Sequence, residues 1–324
     1  MFHGNNKTHE EIEMALEFGI GRFVCDNFYE IQLINQIAGR TGVKADILLR
    51  VTPGVDSHTH KYITTGNIDS KFGIPIPYLS KAVKLAQGLE GITLRGFHFH
   101  IGSQLLNNES HLMAVDIMLN LIKRMKEEVG YDTLEFNLGG GFGIRYLDDT
   151  EKRDLSYFVD PMMNSIEKFC SDNSIQRPRV FIEPGRWVVG EAGITLYTIG
   201  SIKEIPGVRT YVGIDGGFPD NPRPALYQAK YEGVIANKVD FPKEEYVTIA
   251  GKCCESGDIL IWDLRVPKLQ SGDILAVKST GAYSYSMSSN YNRIPKPAVV
   301  MVSNGKPRLI VKRQTYEDMM RNEI

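Results

Sequence analysis

The three consecutive glycines Gly139-Gly140-Gly141 close the apolar run Phe136-Asn137-Leu138, and Gly143 follows two residues later. Glycines at a strand end remove every Cβ and let backbone N–H groups approach an anion. The chemistry on offer is phosphate binding; a plain flexible turn is the alternative. Residues 179–186 read Arg-Val-Phe-Ile-Glu-Pro-Gly-Arg, with a carboxylate and a guanidinium flanking a Pro-Gly turn. Glu183 could neutralise a cationic ring nitrogen, Gly185 could meet a phosphate through its backbone, and Arg186 could clamp a carboxylate. An ordinary ion pair closing the turn is the plainer reading. His98-Phe99-His100 sets two imidazoles on one face of a strand, a spacing that His58-Thr59-His60 repeats. Such pairs can chelate zinc. No Glu/His set with a recognisable spacing completes a metal site, so no metal is expected, and an imidazole against a cofactor ring or in the core is preferred.

Three further segments carry reactive side chains. Asn221-Pro222-Arg223-Pro224-Ala225-Leu226-Tyr227 is too proline-rich for a strand or a helix interior, so it is expected to be a constrained loop presenting Arg223 and Tyr227 to a carboxylate. Cys253-Cys254-Glu255-Ser256-Gly257-Asp258 combines a thiol, as nucleophile or proton donor, with two acids in a turn; a buried structural cysteine is the commoner fate. Gly281-Ala282-Tyr283-Ser284-Tyr285-Ser286-Met287 adds phenol hydroxyls in a run that suits no regular strand.

The elements that must position these residues alternate strand and helix over the first part of the chain. Strands are expected at 1–3, 22–25, 47–51, 96–101, 134–138 and 180–182, and helices near 10–17, 28–39, 78–87, 111–128 and 155–170. Thr8 and Glu11 form a capping-box signature for the first helix. Alternation of this kind predicts a parallel sheet, doubly wound or closed into a barrel. The polar and glycine residues gather at strand C-terminal ends, the habit of (β/α)8 TIM-type barrels. A complete barrel has eight strands, so the first two are expected to be lacking. After residue 193 the runs turn β-rich, at 196–202, 210–214, 231–236, 246–249, 273–277, 297–302 and 308–312. The expected organisation is a partial barrel over 1–193 and a C-terminal antiparallel β domain over 194–324.

Composition narrows the partners. With 324 residues and a net charge of −2, the chain has a large core and no charge excess to attract nucleic acid or an anionic membrane. No run approaches the ~18 apolar residues of a membrane span, and the first residues hold no apolar signal core, so a cytoplasmic location is expected. The four cysteines show no disulfide-framework spacing, so reduced thiols are expected.

Together these segments resemble the fold-type III pyridoxal-phosphate decarboxylases, in the branch whose substrate is meso-2,6-diaminopimelate. The matching stretches are His3-Gly4-Asn5-Asn6-Lys7, Arg50-Val51-Thr52-Pro53-Gly54-Val55-Asp56, Asp69-Ser70-Lys71-Phe72-Gly73 and His98-Phe99-His100-Ile101-Gly102-Ser103-Gln104. The triple glycine, residues 183–186, 221–227 and 254–258, and Gly281-Ala282-Tyr283 continue them in order over essentially the whole chain. The resemblance implies pyridoxal 5'-phosphate as cofactor, with His100 stacked on its ring and Glu183 paired with the pyridine nitrogen. It implies Ser103, Gly140, Gly141, Gly185, Arg186 and Tyr283 around the phosphate. Arg186, Arg223 and Tyr227 would bind the substrate carboxylate, Tyr283 would also border the substrate, and Glu255 would meet the distal ammonium. Cys254, with His100 the catalytic pair, would be a proton donor, and Cys254 and Glu255 would be lent across a homodimer interface. The implied reaction is decarboxylation to L-lysine through an aldimine, the last step of lysine biosynthesis.

The resemblance also marks a departure. The family's Schiff-base lysine lies at the end of the first barrel strand, whereas the segment around His3 matches the one after the third strand. Lys7 is therefore not that residue, and the chain is expected to be N-terminally truncated and inactive alone. A non-catalytic dimer partner, an ornithine- or arginine-type decarboxylase, a short form using Lys7 or Lys71, and a metal-dependent barrel hydrolase resting on the two histidine pairs are the alternatives.

Overall fold

The computed structural model describes residues 1–55 and 69–324; His58 and His60 lie outside the described residues. Two compact units divide the chain, one of Met1–Gly143 with Arg153–Gly185 and one of Ile144–Lys152 with Arg186–Ile324.

The first unit alternates α1 (His9–Glu17), β1 (Phe23–Cys25), α2 (Phe28–Thr41), β2 (Ala45–Thr52), β3 (Ile74–Pro75), α3 (Leu79–Gln87), β4 (Ile92–His98), α4 (Glu109–Val129), β5 (Glu135–Asn137), α5 (Leu155–Asp172) and β6 (Arg179–Phe181). Strands β1, β2, β4, β5 and β6 lie side by side in chain order and run parallel, with β3 on the end of β2. A doubly wound sheet reverses its strand order at a switch point; this sheet does not, which is the order of a barrel. The strand expected at 1–3 is reduced to one bridge, Phe2 to Phe23. Strand β4 ends at His98, which leaves 99–101 to the next loop.

Local signals place the helices. Thr8 Oγ1 accepts from Glu11 N–H at 3.2 Å and Glu11 Oε2 accepts from Thr8 N–H at 2.8 Å, completing the capping box. Asn27 Oδ1 caps α2 by accepting from Glu30 N–H at 3.0 Å. Glu30 itself turns inward, fully buried, and accepts from Lys7 Nζ (3.0 Å), Lys7 N–H (3.0 Å) and Asp26 N–H (2.9 Å). Lys7 Nζ gives its other protons to Gly4 O and Val24 O, at 2.7 and 2.8 Å. Lys7 is therefore a lock between the first loop and α2, and this counts against its standing in for a Schiff-base lysine.

After Ile144–Lys152, the second unit takes α6 (Gly185–Val189) from Arg186 on, then β7 (Thr195–Ile205), β8 (Arg209–Ile214), α7 (Arg223–Tyr227), β9 (Gly233–Ile235), β10 (Glu245–Ala250), β11 (Ile259–Val266), β12 (Ile274–Val277), β13 (Val299–Ser303), β14 (Lys306–Val311) and α8 (Tyr316–Met320). Six strands form one sheet in the order β11-β10-β8-β7-β12-β9, antiparallel except for the parallel pair β8 and β10; β13 and β14 form a separate hairpin. Ile199, Val212, Ile249, Leu275 and Val277 fill its core. Two features differ from expectation. Strand β11 has no counterpart in the sequence reading: its pairing with β10 is bulged and Asp263 has a φ of 51°, so its side chains do not alternate cleanly. The stretch 221–227 holds a helical turn, because Pro222 caps α7 and Pro224 sits in its first turn, where no intrahelical N–H is needed.

Candidate cofactor and substrate groups

In the first unit the groups converge on Glu183, two residues beyond β6. His3 Nε2 lies 2.8 Å from Glu183 Oε1, His98 Nε2 lies 3.3 Å from Oε2, and Asn137 Nδ2 donates to Oε1 at 2.9 Å. The carboxylate is half-buried, and burial by itself favours its protonated form; the hydrogen bonds from His3 and His98 outweigh this and hold it well below the usual carboxylate range. Glu183 is thus a fixed anion. His98 and His100 are driven the other way. Burial lowers His98 to about 4 against the pull of Glu183, and lowers His100 to about 3, with the Arg50 guanidinium adding to the effect. Both rings are neutral at neutral pH. Gly140 N–H donates to His100 Nδ1 at 3.3 Å, which leaves the His100 proton on Nε2.

The glycine loop is built by close backbone approach. A Cβ on Gly139 would lie 2.3 Å from Phe99 O, one on Gly140 2.1 Å from Glu183 O, and one on Gly141 2.2 Å from Gly102 O. Only glycine lets the loops after β4, β5 and β6 close on one another. Leu105 N–H to Gly141 O (2.9 Å) and Gly143 N–H to Leu105 O (2.8 Å) then zip the Ser103-bearing loop to the glycine loop. Arg50, at the end of β2, is buried over the Phe72 ring (4.4 Å), with Asp26 Oδ1 3.8 Å away.

In the second unit the anion-binding candidates sit around Tyr146. Arg186 and Arg223 both donate to the Tyr146 hydroxyl, Arg223 at 3.1 Å, and Arg223 also donates to the Tyr231 hydroxyl. The Arg186 guanidinium carbon lies 4.6 Å from the centroid of the Tyr283 ring. Arg223 is 6% exposed, and no carboxylate among the described residues forms an ion pair with it. Tyr227 ends α7 and is half-buried. Cys254 and Glu255 are exposed: Cys254 Sγ lies 3.3 Å from Asn292 Oδ1, and the Tyr291 hydroxyl donates to Glu255. Asp258, the second acid of that turn, is structural, accepting from Phe218 N–H (2.7 Å) and Cys253 N–H (3.0 Å). Burial and then Asp258 push the Cys253 thiol up to about 12.

Sequence reasoning missed His3, Asn137 and Tyr146 as parts of these clusters. It also found no partner set for a metal, whereas His3, His98 and Glu183 bring three ligand atoms within 4.8 Å of one another. Their N–O spacings of 2.8 and 3.3 Å are accounted for by hydrogen bonds. The donor set suits pyridoxal phosphate: a carboxylate kept ionised for a pyridinium nitrogen, a neutral imidazole face, and a glycine loop free of Cβ atoms.

A fixed anion, a flat neutral ring and a glycine loop at the ends of parallel strands define a cofactor enzyme of the pyridoxal type. Residues 1–190 match the family described as pyridoxal-dependent decarboxylase, pyridoxal binding domain, and the chain belongs to that family, whose cofactor is pyridoxal phosphate. Diaminopimelate decarboxylases are among its relatives there. The Bacillus subtilis (strain 168) enzyme is 50% identical over 325 residues, covering 100% of this chain and 74% of the relative. The crystal structure of the M. jannaschii enzyme in complex with L-lysine superposes with a TM-score of 0.91 at 36% identity, over 99% of this chain and 73% of that one. The Helicobacter pylori enzyme, also complexed with L-lysine, gives 0.89 at 32% identity, over 98% and 77%. An α/β barrel with a separate antiparallel β domain is thus the fold that the chain shares with these enzymes.

Proposed function

We propose that the chain serves decarboxylation of meso-2,6-diaminopimelate to L-lysine, in the cytoplasm and as a homodimer. The observation that carries this reading is the Glu183 carboxylate, held ionised by His3, His98 and Asn137 where a pyridine nitrogen would need an anion. Bound pyridoxal phosphate supplies an electron-withdrawing ring that accepts the electron pair left when carbon dioxide departs.

The chain's own residues do the rest. Glu183 keeps a proton on the ring nitrogen through its charge, and His100 offers a neutral face to the ring. Ser103, Gly140, Gly141, Gly185, Arg186 and Tyr283 cradle the phosphate. Arg186, Arg223 and Tyr227 bind carboxylate, Glu255 binds the distal ammonium, and Tyr283 borders the substrate. Cys254, lent with Glu255 by the partner copy, delivers a proton to the substrate carbon.

Arg223 and Glu255 favour a second amino-acid head group over the plain amine tail of ornithine. Lys7 spends its protons on Gly4, Val24 and Glu30, so it is not the lysine that anchors the cofactor. Binding of meso-2,6-diaminopimelate and of ornithine to the cofactor-loaded chain, with release of carbon dioxide from each, tests the assignment. Preference for ornithine overturns the substrate, and failure to bind pyridoxal phosphate overturns the whole reading.

A further inference from the structure

We propose that Asn137 is a positioning residue that ties the anion for the pyridine nitrogen to the first residue of the glycine loop, so that both ends of the cofactor are held by one amide. The proposal rests on the pyridoxal-phosphate reading above. Asn137 is the last residue of β5 and is fully buried between Phe136 and Leu138, themselves fully buried. A polar side chain in such surroundings is costly unless its hydrogen bonds are made. Both polar atoms of the Asn137 amide are paired. Nδ2 donates to Glu183 Oε1 at 2.9 Å and to Met1 Sδ at 2.9 Å, while Oδ1 accepts from Gly139 N–H at 2.9 Å. Gly139 O in turn accepts from Glu183 N–H at 2.7 Å. Side chain and backbone thereby close a ring through Asn137, Gly139 and Glu183, which fixes the carboxylate relative to the loop.

The amide differs from the other two donors to Glu183. His3 and His98 are titratable imidazoles, whereas Asn137 stays neutral at every pH and contributes orientation without charge. A pyridinium nitrogen binds well to a carboxylate only when a lone pair faces it, so a carboxylate free to rotate loses part of that interaction.

The test uses the 324-residue chain and 4-deoxypyridoxine 5'-phosphate, which lacks the aldehyde and so reports non-covalent binding only. Dissociation constants are measured for wild type, Asn137→Leu, Glu183→Gln and the double variant. If Asn137 acts through Glu183, Asn137→Leu weakens binding about tenfold in the wild-type background and less than about twofold beside Glu183→Gln. The pyridine nitrogen of the bound ligand, labelled with 15N, also titrates at lower pH in Asn137→Leu than in wild type, a shift that general loosening of the fold would not produce. Asn137→Ser, with a hydroxyl too short to span both partners, reproduces the pattern should the leucine variant fail to fold. Equal losses in both backgrounds, or no loss, overturn the proposal while leaving the cofactor reading intact. Failure of the wild-type chain to bind the ligand overturns the cofactor reading, and this proposal with it.

Discussion

Arg223 separates a binding role from a structural one. It is buried, and the groups that receive its Nη1 protons are the hydroxyls of Tyr146 and Tyr231. Burying a guanidinium without an anion costs several kcal/mol, a cost that a substrate carboxylate would offset. Arg223→Met keeps the length and apolar stem and removes the charge. Two hydrogen bonds are lost, at about 1 kcal/mol each, while the desolvation cost of the cation disappears. Stability should therefore stay within about 2 kcal/mol of wild type. Ligand binding should suffer more. Charge-assisted hydrogen bonds to a carboxylate contribute about 1.5–3 kcal/mol, so affinity for meso-2,6-diaminopimelate should fall roughly 10- to 150-fold. Urea unfolding and calorimetric titration of the cofactor-loaded protein measure the two quantities. A loss of more than about 3 kcal/mol of stability with unchanged ligand affinity would instead make Arg223 a structural cation with no part in binding.

Other perturbations probe the rest of the architecture. Lys7→Met leaves the fully buried Glu30 carboxylate without its cation and should cost about 3–5 kcal/mol in urea unfolding; a cost below about 1 kcal/mol would remove Lys7 from its structural role. Gly140→Ala pushes a methyl to 2.1 Å from Glu183 O and should cost about 1–3 kcal/mol together with cofactor affinity, whereas Gly257→Ala, with nothing within 4 Å of the added carbon, should be near neutral. His98 and His100 have folded values of about 4 and about 3 against 6.5 unfolded, so the unfolded chain takes up protons first as the pH falls. Their contribution is complete above pH 6.5 and declines from there toward about pH 4, by at most about 1.4 kcal/mol per pH unit for each ring. Glu183, held below its ordinary value, adds a loss of the same sign at lower pH. Urea midpoints that stay flat between about pH 7 and about pH 5 would contradict this.

How much of the architecture is legible in the sequence depends on the range of the forces involved. Parallel strands buried on nearly every residue, such as β1 and most of β2, stand out as short apolar runs, and the capping box of α1 is a pattern confined to Thr8 and the first turn. The glycine loop and residues 183–186 are likewise local signatures. Strand β11 escapes because its bulges break the period of two on which strand recognition depends. The anion cluster escapes for a different reason: His3 and Glu183 are 180 positions apart, and no local pattern links them. Tyr146 is similar, a single tyrosine made important by arginines 40 and 77 positions further on. Resemblance to a family supplied roles for Glu183, Arg186 and Arg223, while the donors that orient Glu183 emerged only from the folded chain.

A crystal structure of the chain grown with pyridoxal phosphate decides whether Glu183 is the partner of the pyridine nitrogen. The pyridine nitrogen should lie within hydrogen-bonding distance of a Glu183 carboxylate oxygen, with the phosphate against Gly140 and Gly141. A metal ion bonded to His3, His98 and Glu183, or a cofactor bound away from Glu183, would contradict it.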